Sequence, residues 1–191
     1  MGLRVIAGEA KGQRLQSSPG RRVRPTSGRV RAAIFSMLRS RASSTARVLD
    51  LYAGSGALGI EALSRGAEQA DFVEQDRRQC EVIRQNLAAA GLAQQGRVFC
   101  GRVHRILPRL EGTYDVVFLD PPYGDPALPG TLEELGGSSL VGERSVVVVE
   151  RSARQVLDEV YGQMRLVREL RHGDTAVSAY TRNSQEEKEA Q

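Results

Sequence analysis

From Arg47 to Glu150 the chain repeats one pattern: a short, unbroken apolar run, then a segment with helical spacing. The runs are "RVLDLYA", "ADFVEQ", "RVFCG", "YDVVFLD" and "RSVVVVE". They are too continuously apolar to lie half-exposed, so each needs cover on both faces. Between them lie "ALGIEALSRG", a helix stopped by Gly66, and "DRRQCEVIRQNLAAAGL", a helix capped by Asp76 and ended by Gly91. "VHRILPRL" reads as a short helix or turn, and "LPGTLEELGGSSLV" as a helix broken by glycines. Strands alternating with helices predict an α/β fold with a parallel sheet covered on both sides. The end departs from this rhythm. "QMRLVRELRHGDTAVSAYTR" reads as two strands joined at His172-Gly173-Asp174, which adds an antiparallel strand to the sheet. The polar tail, 183–191, is expected to be disordered.

Charge divides the chain of 191 residues differently. Residues 1–47 hold eleven Lys or Arg and one acid, Glu9, a balance of +10; the remainder balances at −6. A basic arm (residues 1–46) is therefore expected ahead of a mildly acidic body (residues 47–182), and this arrangement points to a polyanionic partner. Within the arm, "LRVIAGEAKGQRLQ" reads as a small hairpin turning between Gly8 and Gly12. "RPTSGRVRAAIFSML" reads as a helix capped by Thr26 or Ser27. Val30, Ala33, Ile34, Met37 and Leu38 form its inward stripe, with Arg29 and Arg31 turned away from it. Hydrophobic residues make up 40% and no apolar run reaches bilayer-spanning length, so a cytoplasmic protein is expected. Cys80 and Cys100 lack CxxC spacing and are expected as two reduced, mostly buried thiols. No metal spacing is completed by His104 or His172.

"DLYAGSGALGIEAL" spells G-x-G-x-x-G with Gly54, Gly56 and Gly59, between a strand and a helix. Glycines there permit a tight turn and a close ligand approach, and the following helix offers unpaired N–H groups. Glu74 follows Gly54 by twenty residues, at the end of the second strand, where a carboxylate can accept both hydroxyl protons of a ribose. These features suit NAD and S-adenosylmethionine equally. Gly59 is read as a helix-packing residue, not as a pyrophosphate contact.

"DPPY", Asp120 to Tyr123, separates the two. It closes the fourth strand at the carboxyl edge of the sheet, where open α/β folds place ligands. Two prolines cannot donate ladder hydrogen bonds, so Pro121 and Pro122 fix a stiff turn outside the sheet. The Asp120 carboxylate and the Pro121 carbonyl can each accept one N–H of an exocyclic base amine. Its lone pair then faces an incoming methyl group. Tyr123 can stack on the base. Hydride transfer would need none of these.

"VLDLYAGSGALGIEALSRGA", "FVEQD" and "VVFLDPPY" resemble the class I S-adenosylmethionine-dependent methyltransferases that modify base amines. With "RVIAGEAKGQRL", "RPTSGRVRAAIFSML" and "HGDTAVSAY", the chain up to Arg182 resembles the RsmD family, which methylates a guanine N2 in 16S rRNA of the small ribosomal subunit. The resemblance implies a Rossmann-like sheet of seven strands, mostly parallel, with an antiparallel C-terminal strand. It implies cofactor contacts from Asp50, Tyr52, Ala53, Gly54, Gly56 and Gln75, with Glu74 at the ribose. Arg102 would lie by the adenine, contributing its backbone, and Thr26 beside the cofactor. Asp120, Pro121, Pro122 and Tyr123 would form the catalytic turn. Arg14, Arg21, Arg22, Arg24, Arg29 and Arg31 would hold RNA phosphates. Gly28, Ala32, Arg102 and His172 depart from the family's usual residues.

Other readings stay open on the residues alone. "DPPY" does not separate guanine N2 from adenine N6, in RNA or DNA. An NAD-dependent oxidoreductase would leave "DPPY" and the arm without a role. A silent RNA-binding module would leave the acidic, glycine and DPPY positions without one. No apolar helix face is left over once the sheet is covered, so a monomer is expected.

Overall fold

A computed structural model describes residues 2–17, 28–38 and 47–182. Arg21, Arg22, Arg24, Thr26, Ser27 and the tail lie outside the described residues.

The parallel core is built from β1 (Arg47–Leu51), β2 (Gln69–Glu74), β3 (Gly96–Cys100), β4 (Tyr114–Leu119) and β5 (Val141–Ser152). Three further strands follow, β6 (Val160–Tyr161), β7 (Met164–His172) and β8 (Thr175–Arg182), in the order β3-β2-β1-β4-β5-β8-β7-β6. β8 pairs antiparallel with both β5 and β7. The sheet thus has eight strands, not seven. The extra one is the two-residue β6, too short to show a period, which pairs with β7 through Val160 and Tyr161. The order reverses between β1 and β4, and that switch point is where such sheets open a crevice at their carboxyl ends.

Helices α1 (Gly28–Leu38), α2 (Ala57–Ser64) and α3 (Arg77–Ala89) are joined in one apolar core with Val48, Phe72, Val116 and Phe118 of the sheet. A second core holds α4 (Val103–Ile106), the 3-10 turn Leu107–Arg109 and α5 (Leu128–Gly137), with Leu49, Leu51, Val117 and Val147. Neighbouring strand residues alternate between the two cores, as the period of two requires. Asp76 caps α3 by accepting from the Arg78 amide at 2.8 Å, and Gly91, with φ +73, follows its end. α5 ends at Gly136 and Gly137, as its glycines predict, yet runs unbroken through Gly130, with Leu128, Leu132 and Leu135 fully in the core.

The hairpin of the arm forms. Val5 donates to the Gln13 carbonyl and Leu15 to Leu3, each at 3.0 Å. α1 buries Val30, Arg31, Ile34, Phe35, Met37 and Leu38, a wider arc than the expected stripe. It lies between sheet and hairpin, with Phe35 5.7 Å from Phe118 and the Arg65 guanidinium 4.6 Å from the Phe35 ring. Burial of Ile34 and Phe35 contributes about 1.5–3 kcal/mol each.

Candidate functional site

The mouth lies over the carboxyl ends of β1, β2 and β4. After β1 the chain turns sharply. Tyr52 takes φ +60, Gly54 φ +55 and Gly56 φ +77, and the Gly56 amide donates to Ala53 at 2.7 Å. A side-chain carbon added at Gly54 would come no closer than 4.0 Å to any atom, so the space above it is open. Gly59 differs. A carbon there would overlap the Phe72 ring, which makes this glycine a close-packing device between α2 and β2.

Gly56 is the N-cap of α2 and offers no side chain to cap it. Asp50, the fourth residue of β1, takes over: its Oδ2 accepts from the Gly59 amide at 2.9 Å. Asp50 is almost wholly buried, and burial pushes its carboxyl well above the usual range. The Gly59 hydrogen bond opposes that shift, and the nearby charges of Asp120 and Glu74 add to it. Asp50 near the end of β1, Glu74 at the end of β2 and Asp120 just past β4 stand at the carboxyl ends of adjacent parallel strands, around one mouth. The Glu74 carboxylate is already partnered, with Oε2 accepting from Gly54 at 2.9 Å and Oε1 from Asp76 at 2.8 Å. A carboxylate has about four acceptor positions, so hydroxyl donors can still be received. The Tyr52 hydroxyl meets Thr131 of α5 at 3.3 Å, and burial raises its pKa. The Ala53 amide donates to the Val73 carbonyl at 3.0 Å, tying the loop to β2.

Gln75, Asp76, Cys100, Gly101, Arg102, Arg105, Ile106 and Arg109 line a cavity of about 590 Å³ beyond β2 and β3. Gln75 and Arg102 therefore share one recess. Past β4, Pro121 is buried, Asp120 is half-buried, and Pro122 and Tyr123 are exposed. Tyr123 is 49% exposed, while its hydroxyl shares a 2.8 Å hydrogen bond with Thr175 at the start of β8. The turn Gly173-Asp174 thus brings the last hairpin against the DPPY turn.

Two expectations need correcting. Arg31 is buried, and its Nη2 donates to the Arg4 carbonyl at 2.8 Å, so it is no phosphate ligand. Burial lowers its pKa while the Glu61 charge raises it. The wide buried arc of α1 carries it inward. Arg14 and Arg29, by contrast, are exposed. Cys80 and Cys100 are joined in a disulfide across 6.1 Å between α-carbons, and Cys100 is exposed. The first turn of α3 and the end of β3 meet at the same sheet edge, well within bridging distance.

Two polar residues that hold the site gave no motif. Glu61, fully buried, accepts from the amides of Ile6 and Ala7 at 2.7 and 3.0 Å and from Arg65 Nε at 2.7 Å. Asn86, also buried, bonds both backbone groups of Gln16 and donates to the Ser55 carbonyl at 2.9 Å. It links the arm to the glycine loop. The one available signal was a lone charged or amide residue at an apolar helix position.

The family model described as "conserved hypothetical protein 95" matches residues 3–181. The ribosomal RNA small subunit methyltransferase D of Escherichia coli (strain K12) is 34% identical over 190 residues, covering 98% of this chain and 94% of that protein. A Thermus thermophilus protein of solved structure, described as hypothetical, superposes with a TM-score of 0.79 at 31% identity, over 92% of this chain and 97% of that one. The ribosomal protein L11 methylase of Lactobacillus delbrueckii subsp. bulgaricus shares the fold alone, at a TM-score of 0.64 and 17% identity over 83% and 81% of the chains. With a β1–β4 switch point, a glycine loop answered by Glu74 and a DPPY turn across the mouth, the chain belongs to the RsmD family of class I methyltransferases.

Proposed function

We propose that this protein transfers a methyl group from S-adenosylmethionine to the N2 amine of a guanine in 16S rRNA of the small ribosomal subunit. The observation that carries the reading is the turn Asp120-Pro121-Pro122-Tyr123, standing at the end of β4 beside the Asp50 and Glu74 carboxylates. The relative in Escherichia coli is named for small-subunit ribosomal RNA, which favours RNA over DNA.

The residues present fit the cofactor. The open space over Gly54 admits a ligand close to the backbone, and Glu74 retains acceptor positions for the ribose hydroxyls. Tyr52, Ala53, Gly54 and Gly56 shape the methionine end, which Asp50 supports by holding Gly59. Gln75 and the backbone at Arg102 flank the adenine. When bound, the cofactor supplies a methyl group on a sulfonium, an activated leaving group. Asp120 and the Pro121 carbonyl each accept one N–H of the target amine, and Tyr123 stacks on the base. Two acceptors for two donors hold the nitrogen with its lone pair toward the methyl group. Pro122 stiffens the turn that aims them. Arg14, Arg29 and the arginines at 21, 22 and 24 engage phosphates, with Thr26 beside the cofactor. Residues 1–46 then serve as the RNA-binding arm of a monomeric cytoplasmic enzyme.

Purified protein with labelled S-adenosylmethionine is expected to methylate small subunits from cells lacking the activity, at one guanine N2. Label on adenine, or on no RNA, would overturn the reading. Thr175→Val tests the Tyr123 tether. It is expected to lower kcat/KM for RNA about three- to tenfold, the worth of one hydrogen bond, without moving the thermal midpoint. An unchanged kcat/KM would leave Tyr123 positioned by its own turn.

A further inference from the structure

The body of the chain is acidic in balance, yet one part of its surface is not. Arg102, Arg105 and Arg109 follow one another at helical spacing through α4 and the 3-10 turn, and all three line the cavity of about 590 Å³ beside β3. All are exposed, and none makes an ion pair among the described residues. The cavity's single acid, Asp76, is engaged in capping α3. α3 itself opens with Arg77 and Arg78, both exposed, and has no acid in its first turn. Cations at a helix N-terminus oppose the helix dipole and reduce stability slightly. Helix stability therefore gives no reason for two arginines there. Three arginines line the recess, and two more follow its Asp76 in the chain, where neither packing nor pairing asks for them.

The proposed cofactor does not explain them. Its adenine and ribose are uncharged, and its carboxylate belongs at the glycine-loop end. Their placement does have an explanation. The arm packs with α1, α2 and α3 on one face of the sheet, whereas α4 and the turn after it pack on the other. β3 and β4 are separated by β2 and β1, so Gly101 and Asp120 lie about 14–15 Å apart across the mouth at ordinary strand spacing. A strand of RNA that delivers its base to Asp120 and Tyr123 can continue over this recess.

We propose that Arg105 and Arg109, with Arg102 beside them, form a second RNA-phosphate site. It grips the substrate strand on the face of the sheet opposite the arm. The inference rests on the reading of the protein as an RNA methyltransferase. The arm and this patch flank the target base from both sides, which fixes its approach with contacts that carry no sequence information.

The test is the double variant Arg105→Gln/Arg109→Gln, with Arg105→Lys/Arg109→Lys as its charge-retaining control. Binding of a 16S rRNA transcript and of small subunits is measured across salt concentrations, with S-adenosylmethionine affinity by calorimetry and the thermal midpoint alongside. The Gln variant is expected to bind RNA about tenfold more weakly and to raise KM by the same factor. Its kcat, cofactor affinity and midpoint should hold. The slope of log K against log salt should shrink by about 1.4–1.8 for two lost phosphates, and the Lys control should restore most of it. An unchanged slope overturns the proposal. So does a loss confined to cofactor affinity, or millimolar binding of inorganic phosphate or ADP that the Gln pair abolishes while the RNA slope stays intact. Wild-type protein that shows the arginine-dependent slope yet transfers no methyl group would instead sink the enzymatic reading and leave this site standing.

Discussion

An Asp120→Ala protein is expected to lose about a thousandfold in methyl transfer while holding S-adenosylmethionine nearly as well as the wild type. The target amine is a poor nucleophile because its lone pair is delocalised into the ring. Two acceptors placed outside the ring plane let it pyramidalise as the new bond forms, and that help exists only in the transition state. Removing one such positioned group in comparable sites costs about 10²–10³ in turnover, and misalignment of the reacting pair adds to it. Asp120→Asn retains one acceptor oxygen and should fall between. Single-turnover transfer of labelled methyl measures the loss, and calorimetry measures the cofactor. Loss of cofactor affinity by tenfold or more would move Asp120 from the amine to the cofactor site. Asp120 also adds to the upward shift of the buried Asp50 carboxyl, so its removal makes ionisation of Asp50 easier, in the direction of a lower pKa.

The second large effect lies away from the chemistry. Glu61→Ala is expected to destabilise the protein by about 3–5 kcal/mol, because it removes a fully buried carboxylate that partners several part-buried donors at once. The amides of Ile6 and Ala7 lose their acceptor, Arg65 loses its ion pair, and the Arg31 guanidinium loses the nearby charge that favours its ionised form. In a chain of this size that corresponds to a fall of roughly 6–20 °C in the thermal midpoint. The hairpin should also open to proteolysis between residues 3 and 15 before the body does. A loss below about 1 kcal/mol, with the hairpin still protected, would mean that apolar contacts of Val5 and Leu15 dock the arm unaided.

Much of the site was legible because its signals are local. Gly54 and Gly56 announce a turn that needs positive φ, and both adopt it. The unbroken runs of β1, β2, β4 and β5 state their own double cover, and each lies in the parallel core. Gly59 was separable from the phosphate-binding spelling, and its contact with Phe72 explains why no larger residue fits. The strands of the last hairpin were readable from the His172-Gly173-Asp174 turn, though the two-residue β6 was not.

What was not legible depends on long-range packing. Arg31 sits beside Arg29 in sequence, and both looked like phosphate ligands. Only the stacking of α1 between sheet and hairpin decides that one is buried on the Arg4 carbonyl and the other exposed. Cys80 and Cys100, twenty residues apart, carry no pairing motif; they meet because α3 starts where β3 ends.

The sequence by itself determined the fold class, the glycine loop with the carboxylate of Glu74 that answers it, and the Asp-Pro-Pro-Tyr turn. Each is written in a short run whose backbone physics is self-contained. Only the tertiary structure decided how Glu61 and Asn86 bind the arm to the body, how Thr175 reaches Tyr123, and how the arginines of α4 and the turn after it share one cavity with Gln75 and Asp76. Those pairs are separated by roughly fifty to seventy residues or lie on different helices. A charge or an amide acquires its partner only when the sheet has closed the distance and excluded water from between them.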